Sequence, residues 1–270
     1  MAALKVVAVA TNIPGPLAAE HFARTGAEVV KIEPPAGDAL AAAAPEWYAR
    51  ISSLMRVERL DLRSSDARSR LETLLARADL LLTAMRPAAL ERLGLDARGC
   101  ERFPMLCHVA ISGDEGELSG RAGHDLTYQA SSGLLSPPAM PRTVFADMFA
   151  AEGAVAQAYA LLYRREREGR GGFAGLSIAA GAAMLADASR YGLTSAGGPL
   201  SGASPMYCLY RAADGWVALA ALEPHFQANL RAALGAELDG ESLQREFAAR
   251  TCEQCEQLAR DHDIPLATVT

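Results

Sequence analysis

Four short runs of apolar residues, each ended by a break, punctuate the first 115 positions. LKVVAVA (4–10) has little polar alternation, as expected of a parallel strand buried on both faces. TNIPGP breaks it, LAAEHFARTG carries helical spacing that stops at Gly26, and AEVVKIEPP is a second strand ended by its prolines. EWYARISSLMRVERLDLRS reads as a short helix leading into a strand. SSDARSRLETLLARAD is an amphipathic helix, capped by Ser64 or Ser65 and striped by Leu71, Leu74 and Leu75. LLLTAM is a strand, RPAALERLGLD a short helix, and FPMLCHVAISG a further strand running into a glycine-rich loop. Strands alternating with helices predict a doubly wound α/β layer over residues 1 to about 115.

The rhythm then changes. Residues 147–168 form the longest helical pattern, alanine-rich with a basic C-terminal end that suits the helix dipole. A strand and a helix of small residues follow. After LTSAGGPLSGASP, the segment MYCLYRAADGWVALAALEPHFQANLRAAL reads as strand, turn at Asp214-Gly215, strand, helix. A hairpin in place of another crossover marks a second, smaller α+β domain, giving expected domains of 1–200 and 201–270. The tail is helical and closes on the extended segment DIPLATVT.

Composition narrows the function. A net charge of −6 without a basic stripe argues against a nucleic-acid partner. No apolar run is long enough to span a bilayer and the N-terminus breaks too early at proline for a signal peptide, so a cytoplasmic protein is expected. The five cysteines are irregularly spaced, and the single CxxC of CEQC (252–255) reads as two cysteines on one turn of a surface helix. No metal site is expected. No G-x-G-x-x-G follows the first strand, and no P-loop, G-x-S-x-G or H-E-x-x-H occurs.

Three residues suggest chemistry, although each singly has a plainer role. His124, in GRAGHDLTYQASSGLL, suits a structural histidine; Asp147, before a long helix, suits an N-cap; Glu223, before Pro224 at a helix start, suits a solvated residue. Their company changes the picture. GAEVVKIEPPAGD, RPAALERLGLD, AISGDEGE, GHDLTYQASSGLLS, ADMF, REREGRGG and YRAADGWVALAALEPHF occur in that order from residue 4 to at least 235. Together they resemble the family III CoA-transferases, which include formyl-CoA and carnitine CoA-transferases and α-methylacyl-CoA racemase.

The resemblance, closest to the racemase branch, implies a Rossmann-like large domain with a parallel sheet, a small α+β domain, and two chains interlocked as a homodimer. It implies an acyl-CoA substrate and no permanently bound cofactor. In racemase-like chemistry, His124 would be one base and Asp147 with Glu223 the other, moving the proton α to a thioester carbonyl. In transferase chemistry, Asp147 would be the nucleophile that forms an aspartyl-CoA thioester. Asp125 would orient the imidazole, bond to backbone, serve purely as a cap or lie at the cofactor-binding surface, and the N–H groups of Asp147 or Met148 would meet the oxyanion.

The chain departs from the family pattern in three ways. Pro34 stands where an arginine is common, and Ser52, Ser53, Leu54, Met55 and Arg56 replace a basic N-R-G-K-R run, leaving Arg56 and Arg86 as the expected CoA-binding cations. Such losses would suit weaker CoA binding or a carrier-bound acyl thioester. Met148, Phe149, Ala150 and Ala151 replace glycines, which would narrow the space beside the reacting carbon, and the glycine flap is reduced to AGGPLSG. The small domain is short relative to the family. That, with the lost cations, leaves open a catalytically silent partner, or one half of a hetero-oligomer with a homologous chain.

Overall fold

The computed structural model describes residues 3–235 and 237–270. Its first compact unit reaches Ala186 and its second runs from Asp187 to Thr270. The first is built on a six-stranded, wholly parallel sheet in the order β3-β2-β1-β4-β5-β6. In chain order it runs β1 (Lys5–Val9), α1 (Pro14–Arg24), β2 (Glu28–Glu33), α2 (Ala39–Ala43), α3 (Pro45–Ser52), β3 (Arg56–Arg59). It continues α4 (Ser65–Leu75), β4 (Leu80–Ala84), α5 (Pro87–Leu93), α6 (Ala97–Cys100), β5 (Cys107–Ser112), α7 (Asp125–Ser131). The long α8 (Phe145–Glu168), β6 (Gly172–Ser177) and α9 (Ile178–Leu185) complete it. The doubly wound layer thus gains a sixth strand beyond residue 115.

The apolar runs explain the two-sided burial. Along β1, Val6 and Ala8 pack with Phe22 of α1 and with Ala154 and Ala158 of α8. Val7 and Val9 point the other way, against Leu71 and Leu75 of α4 and Leu90 of α5. A strand with helices on both faces needs apolar side chains at every position, hence no alternation. Gly26 ends α1 at a φ of 92°, the left-handed position expected of it.

The second unit holds α10 (Asp187–Arg190), the hairpin β7 (Tyr207–Arg211) and β8 (Trp216–Ala220), α11 (Pro224–Leu234), α12 (Gly240–Ala248), α13 (Cys252–His262) and β9 (Leu266–Thr268). The three strands form an antiparallel sheet, in which Val217 and Leu219 are buried with Leu230, Leu243 and Phe247 of the helices. CEQC opens α13, with Cys255 in that core and Cys252 part-buried.

Beside the end of β2 the first unit buries a charge network. Lys31, fully enclosed, donates to Glu33 Oε1 at 2.6 Å and to Asp38 Oδ2 at 2.5 Å. Tyr48 Oη donates to Glu33 Oε1 at 2.8 Å, and Asp38 Oδ1 accepts the N–H of Asn12 at 2.9 Å and of Leu40 at 3.0 Å. Asn12 sits at a φ of 68°, so Asp38 holds the β1–α1 turn in a left-handed conformation that asparagine tolerates. Lys31→Met should destabilise the first unit by about 3–5 kcal/mol, because two carboxylates would stay buried without their cation. Urea unfolding followed by tryptophan fluorescence measures this; a loss under about 1 kcal/mol would show the network dispensable.

Candidate active site

Strand order reverses between β1 and β4, and open α/β sheets form ligand crevices outside the carboxyl ends of their strands at such a point. Two adjoining cavities lie there. The smaller, about 290 Å³, is lined by Asn12, Arg86, Arg121, His124, Tyr128 and Asp147 among others. The larger, about 650 Å³, runs past Pro34, Pro35, Leu62, Arg63, Arg68 and Arg92. Thr11, Ala84 and Met85, at the ends of β1 and β4, line both. A third hollow of about 410 Å³ also has His124 and Asp147 in its wall, with Ile13, Leu126, Met140, Pro141 and Val144.

His124 and Asp147, 23 positions apart in sequence, therefore border the same two hollows. The exposed His124 is the N-cap residue of α7, and its backbone N–H donates to Thr127 Oγ1 at 3.0 Å. Gly123 before it has no room for a side chain, since a Cβ there would overlap the Tyr128 hydroxyl. Asp147 lies in the first turn of α8, three residues after the N-cap position, so the capping role that its sequence position suggests falls to another group. The N-cap position is held by Val144, which has no capping side chain. Asp125 supplies the cap from α7: its buried Oδ1 accepts the N–H of Ala146 at 2.8 Å and of Asp147 at 3.1 Å. Gln129 Nε2 donates to its Oδ2 at 2.5 Å.

This arrangement corrects two expectations. The Asp147 N–H is taken by Asp125, and the Met148 N–H bonds the Val144 carbonyl at 3.0 Å, so neither is free for an oxyanion. Asp125 takes the backbone-bonding alternative, with Gln129 as its side-chain partner, and also borders the hollow of Ile13, Leu126 and Met140. The residues after Asp147 do not crowd the reacting position either: Ala150 and Ala151 are buried in the helix packing, Phe149 lies against Gly181, and Met148 is exposed.

The Asp147 carboxylate itself has no hydrogen-bond partner among the described residues. Burial pushes its pKa up to about 6, the Asp125 charge adds to the rise, and His124 opposes it. A half-buried carboxyl poised near neutrality and left unpaired in a cleft marks a functional candidate on physical grounds.

The remaining expected residues are dispersed. Arg86 is the N-cap residue of α5 and lines the smaller cavity. Arg56, at the start of edge strand β3, pairs with Glu58 at 3.0 Å and borders none of these hollows. Glu223 belongs to the second unit, where it is the N-cap residue of α11 with Pro224 in the first turn. His108 is buried on β5 beside Thr83 Oγ1 at 2.9 Å, and burial lowers its pKa to about 4. Other arginines line the two cavities. Arg63 forms a bidentate pair with Asp61, Arg68 donates to the Leu62 carbonyl, and Arg92 has no ion-pair partner among the described residues. Arg121 joins Arg86 at the smaller cavity. The signal that could have found Arg63 and Arg92 is their place just beyond β3 and β4, at the carboxyl edge where ligands bind.

The family model of CoA-transferase family III matches residues 1–270. The chain belongs to CoA-transferase family III. Similar family III proteins include the α-methylacyl-CoA racemase of Mus musculus, 32% identical over 91% of this chain and 67% of the racemase. The cinnamoyl-CoA:phenyllactate CoA-transferase of Clostridium sporogenes is 27% identical over 98% of this chain and 76% of its own. The crystal structure of a CAIB/BAIF family protein from Brucella suis superposes with a TM-score of 0.81 at 22% identity, over 99% of this chain and 83% of that one. The chain thus spans about two thirds of the racemase length, and its family III relatives are enzymes of both reaction types. Among the described residues, no helix is long and apolar enough to cross a membrane, and no cluster of His, Cys, Asp or Glu could hold a metal ion.

A carboxyl whose folded-state pKa is raised binds its proton more tightly folded than unfolded. Its ionisation therefore removes stability as pH climbs from about 4 through the folded value. Asp147→Asn should raise the unfolding free energy by about 2 kcal/mol at pH 8 and leave it unchanged near pH 3. Equal effects at both pH values, read by thermal unfolding, would contradict a raised Asp147 pKa.

Proposed function

We propose that this protein acts on acyl-CoA thioesters by moving the proton α to the thioester carbonyl, as a racemase or epimerase does. The observation that carries the reading is the pair His124 and Asp147, an exposed imidazole and an unpartnered carboxyl of pKa about 6, bordering the same hollows. One group takes the α-proton from one face of the carbon and the other returns a proton to the opposite face; the substrate's configuration decides which is base. Such exchange needs both groups within reach of working pH, which the Asp147 value supports. Glu223 is assigned to the same machinery on the family pattern alone.

The cavities suggest how the substrate would lie. The nucleotide end of coenzyme A suits the larger cavity, where Arg63, Arg68 and Arg92 offer cations to its phosphates. The pantetheine arm would pass Thr11, Ala84 and Met85 into the smaller cavity, bringing the thioester beside His124 and Asp147. The acyl chain would then enter the hollow of Ile13, Leu126, Met140 and Val144. The arginines lining the larger cavity support full coenzyme A as the handle over a bare carrier-bound pantetheine.

CoA transfer through Asp147 is the second reading, favoured by the same unpaired carboxylate, which is free to attack a thioester. The readings separate in deuterium oxide. With a 2-methylacyl-CoA, the proposed enzyme takes up one deuterium per thioester, and His124→Ala lowers that rate by at least about 100-fold. Absence of uptake, with CoA passing instead to an added carboxylic acid independently of His124, would replace this reading by the transferase one. Absence of both across several acyl groups would turn attention to a silent partner subunit.

A further inference from the structure

We propose that Asp125 is the positioning residue for Asp147, capping the helix on which Asp147 stands and holding a fixed negative charge beside it. The inference rests on the reading of Asp147 as an acid/base and concerns how that group is prepared.

Its first support is the unusual start of α8. A helix leaves its first N–H groups without internal partners, and a local Ser, Thr, Asp or Asn commonly meets them. Here the N-cap position carries valine, and the only side chain that bonds the first-turn N–H groups of Ala146 and Asp147, among the described residues, is that of Asp125. That carboxylate is itself only 7% exposed and is clamped from behind by Gln129 Nε2, which also reaches the Thr143 carbonyl at 3.3 Å. The backbone bearing Asp147 is thus tied to the residue that follows His124. One side chain fixes the spacing of both candidate proton-transfer groups.

The second support is electrostatic. A surface aspartate would cap the helix as well, but a buried one cannot be screened by water. Its charge stands beside Asp147 on the α7 side, where only His124 opposes it. Arg86 and Arg121 face Asp147 across the smaller cavity with Tyr128, and Arg142 across the apolar hollow. Burial is the larger cause of the raised Asp147 pKa and the Asp125 charge the second, so removing the charge while keeping the cap isolates its part.

Asp125→Asn does this. An amide oxygen can still accept both N–H groups, and the new amide nitrogen can meet Gln129 Oε1, a buried atom without a partner at present, once the Gln129 amide turns over and gives up its bond to the Thr143 carbonyl. The titration of Asp147, followed by carboxyl ¹³C NMR and assigned by its loss in Asp147→Asn, should fall by about one unit in the folded Asp125→Asn protein. The acidic limb of the deuterium-exchange profile should move down with it. Asp125→Ala, losing the cap as well, should lower kcat about 10-fold or more with KM little changed. An unmoved Asp147 midpoint in a folded Asp125→Asn protein would overturn the inference, as would an unchanged kcat in Asp125→Ala. The NMR midpoint needs no turnover, so a shifted midpoint without proton exchange on any thioester would sink the proposed reaction and leave the role of Asp125 standing.

Discussion

The reversal of strand order between β1 and β4 is the constraint on which the rest of the molecule depends. Crossovers in a parallel sheet are right-handed, so a chain that leaves β1 towards β2 and later returns to β4 must place its helices on opposite faces. The loops after the two central strands then diverge, and a crevice opens between them. Thr11, Ala84 and Met85 line both neighbouring cavities because they stand where that divergence begins. His124, Asp147 and the arginines are later additions to a place the topology had already made.

A crevice of this kind exposes backbone groups that a sheet or helix would otherwise satisfy, and the protein meets them with buried carboxylates. Asp38 holds the β1–α1 turn and Asp125 holds the start of α8, each by accepting two backbone N–H groups on one oxygen. The difference between them is the neighbouring charge. Asp38 is matched by the enclosed Lys31, so its role is structural. Among the described residues no cation pairs with Asp125, and its charge bears on Asp147. Similar capping chemistry thus yields a rigid corner in one case and a tuned carboxyl in the other.

What the sequence disclosed follows from the range of each interaction. Apolar runs without alternation marked the parallel strands, because burial on both faces leaves a direct trace in composition. The hairpin at Asp214-Gly215 and the helix end at Gly26 were legible because turn geometry is written in two or three adjacent residues. The chemistry of GHD and ADMF was legible only through resemblance. Local rules made Asp147 its own helix cap, whereas the cap comes from Asp125, 22 residues away, and it occupies the N–H groups that otherwise looked suited to an oxyanion. Nothing local in DLTYQ says which way Asp125 turns.

The cations make the same point about physical equivalence. The loss of arginine at position 34 looked like a weakened grip on coenzyme A, since a local pattern assigns each charge to a position. Phosphate recognition needs charge and donors at a place in space, and several strand ends reach that place. Arg63 follows β3 and Arg92 closes the helix after β4, and both arrive at the cavity that Pro34 and Pro35 line. A guanidinium there serves a phosphate equally well from any of these elements, provided it is not already neutralised. Arg63 is engaged by Asp61, while Arg68 and Arg92 have no ion-pair partner among the described residues, so the positive charge of that cavity rests on Arg68 and Arg92 more than on Arg63.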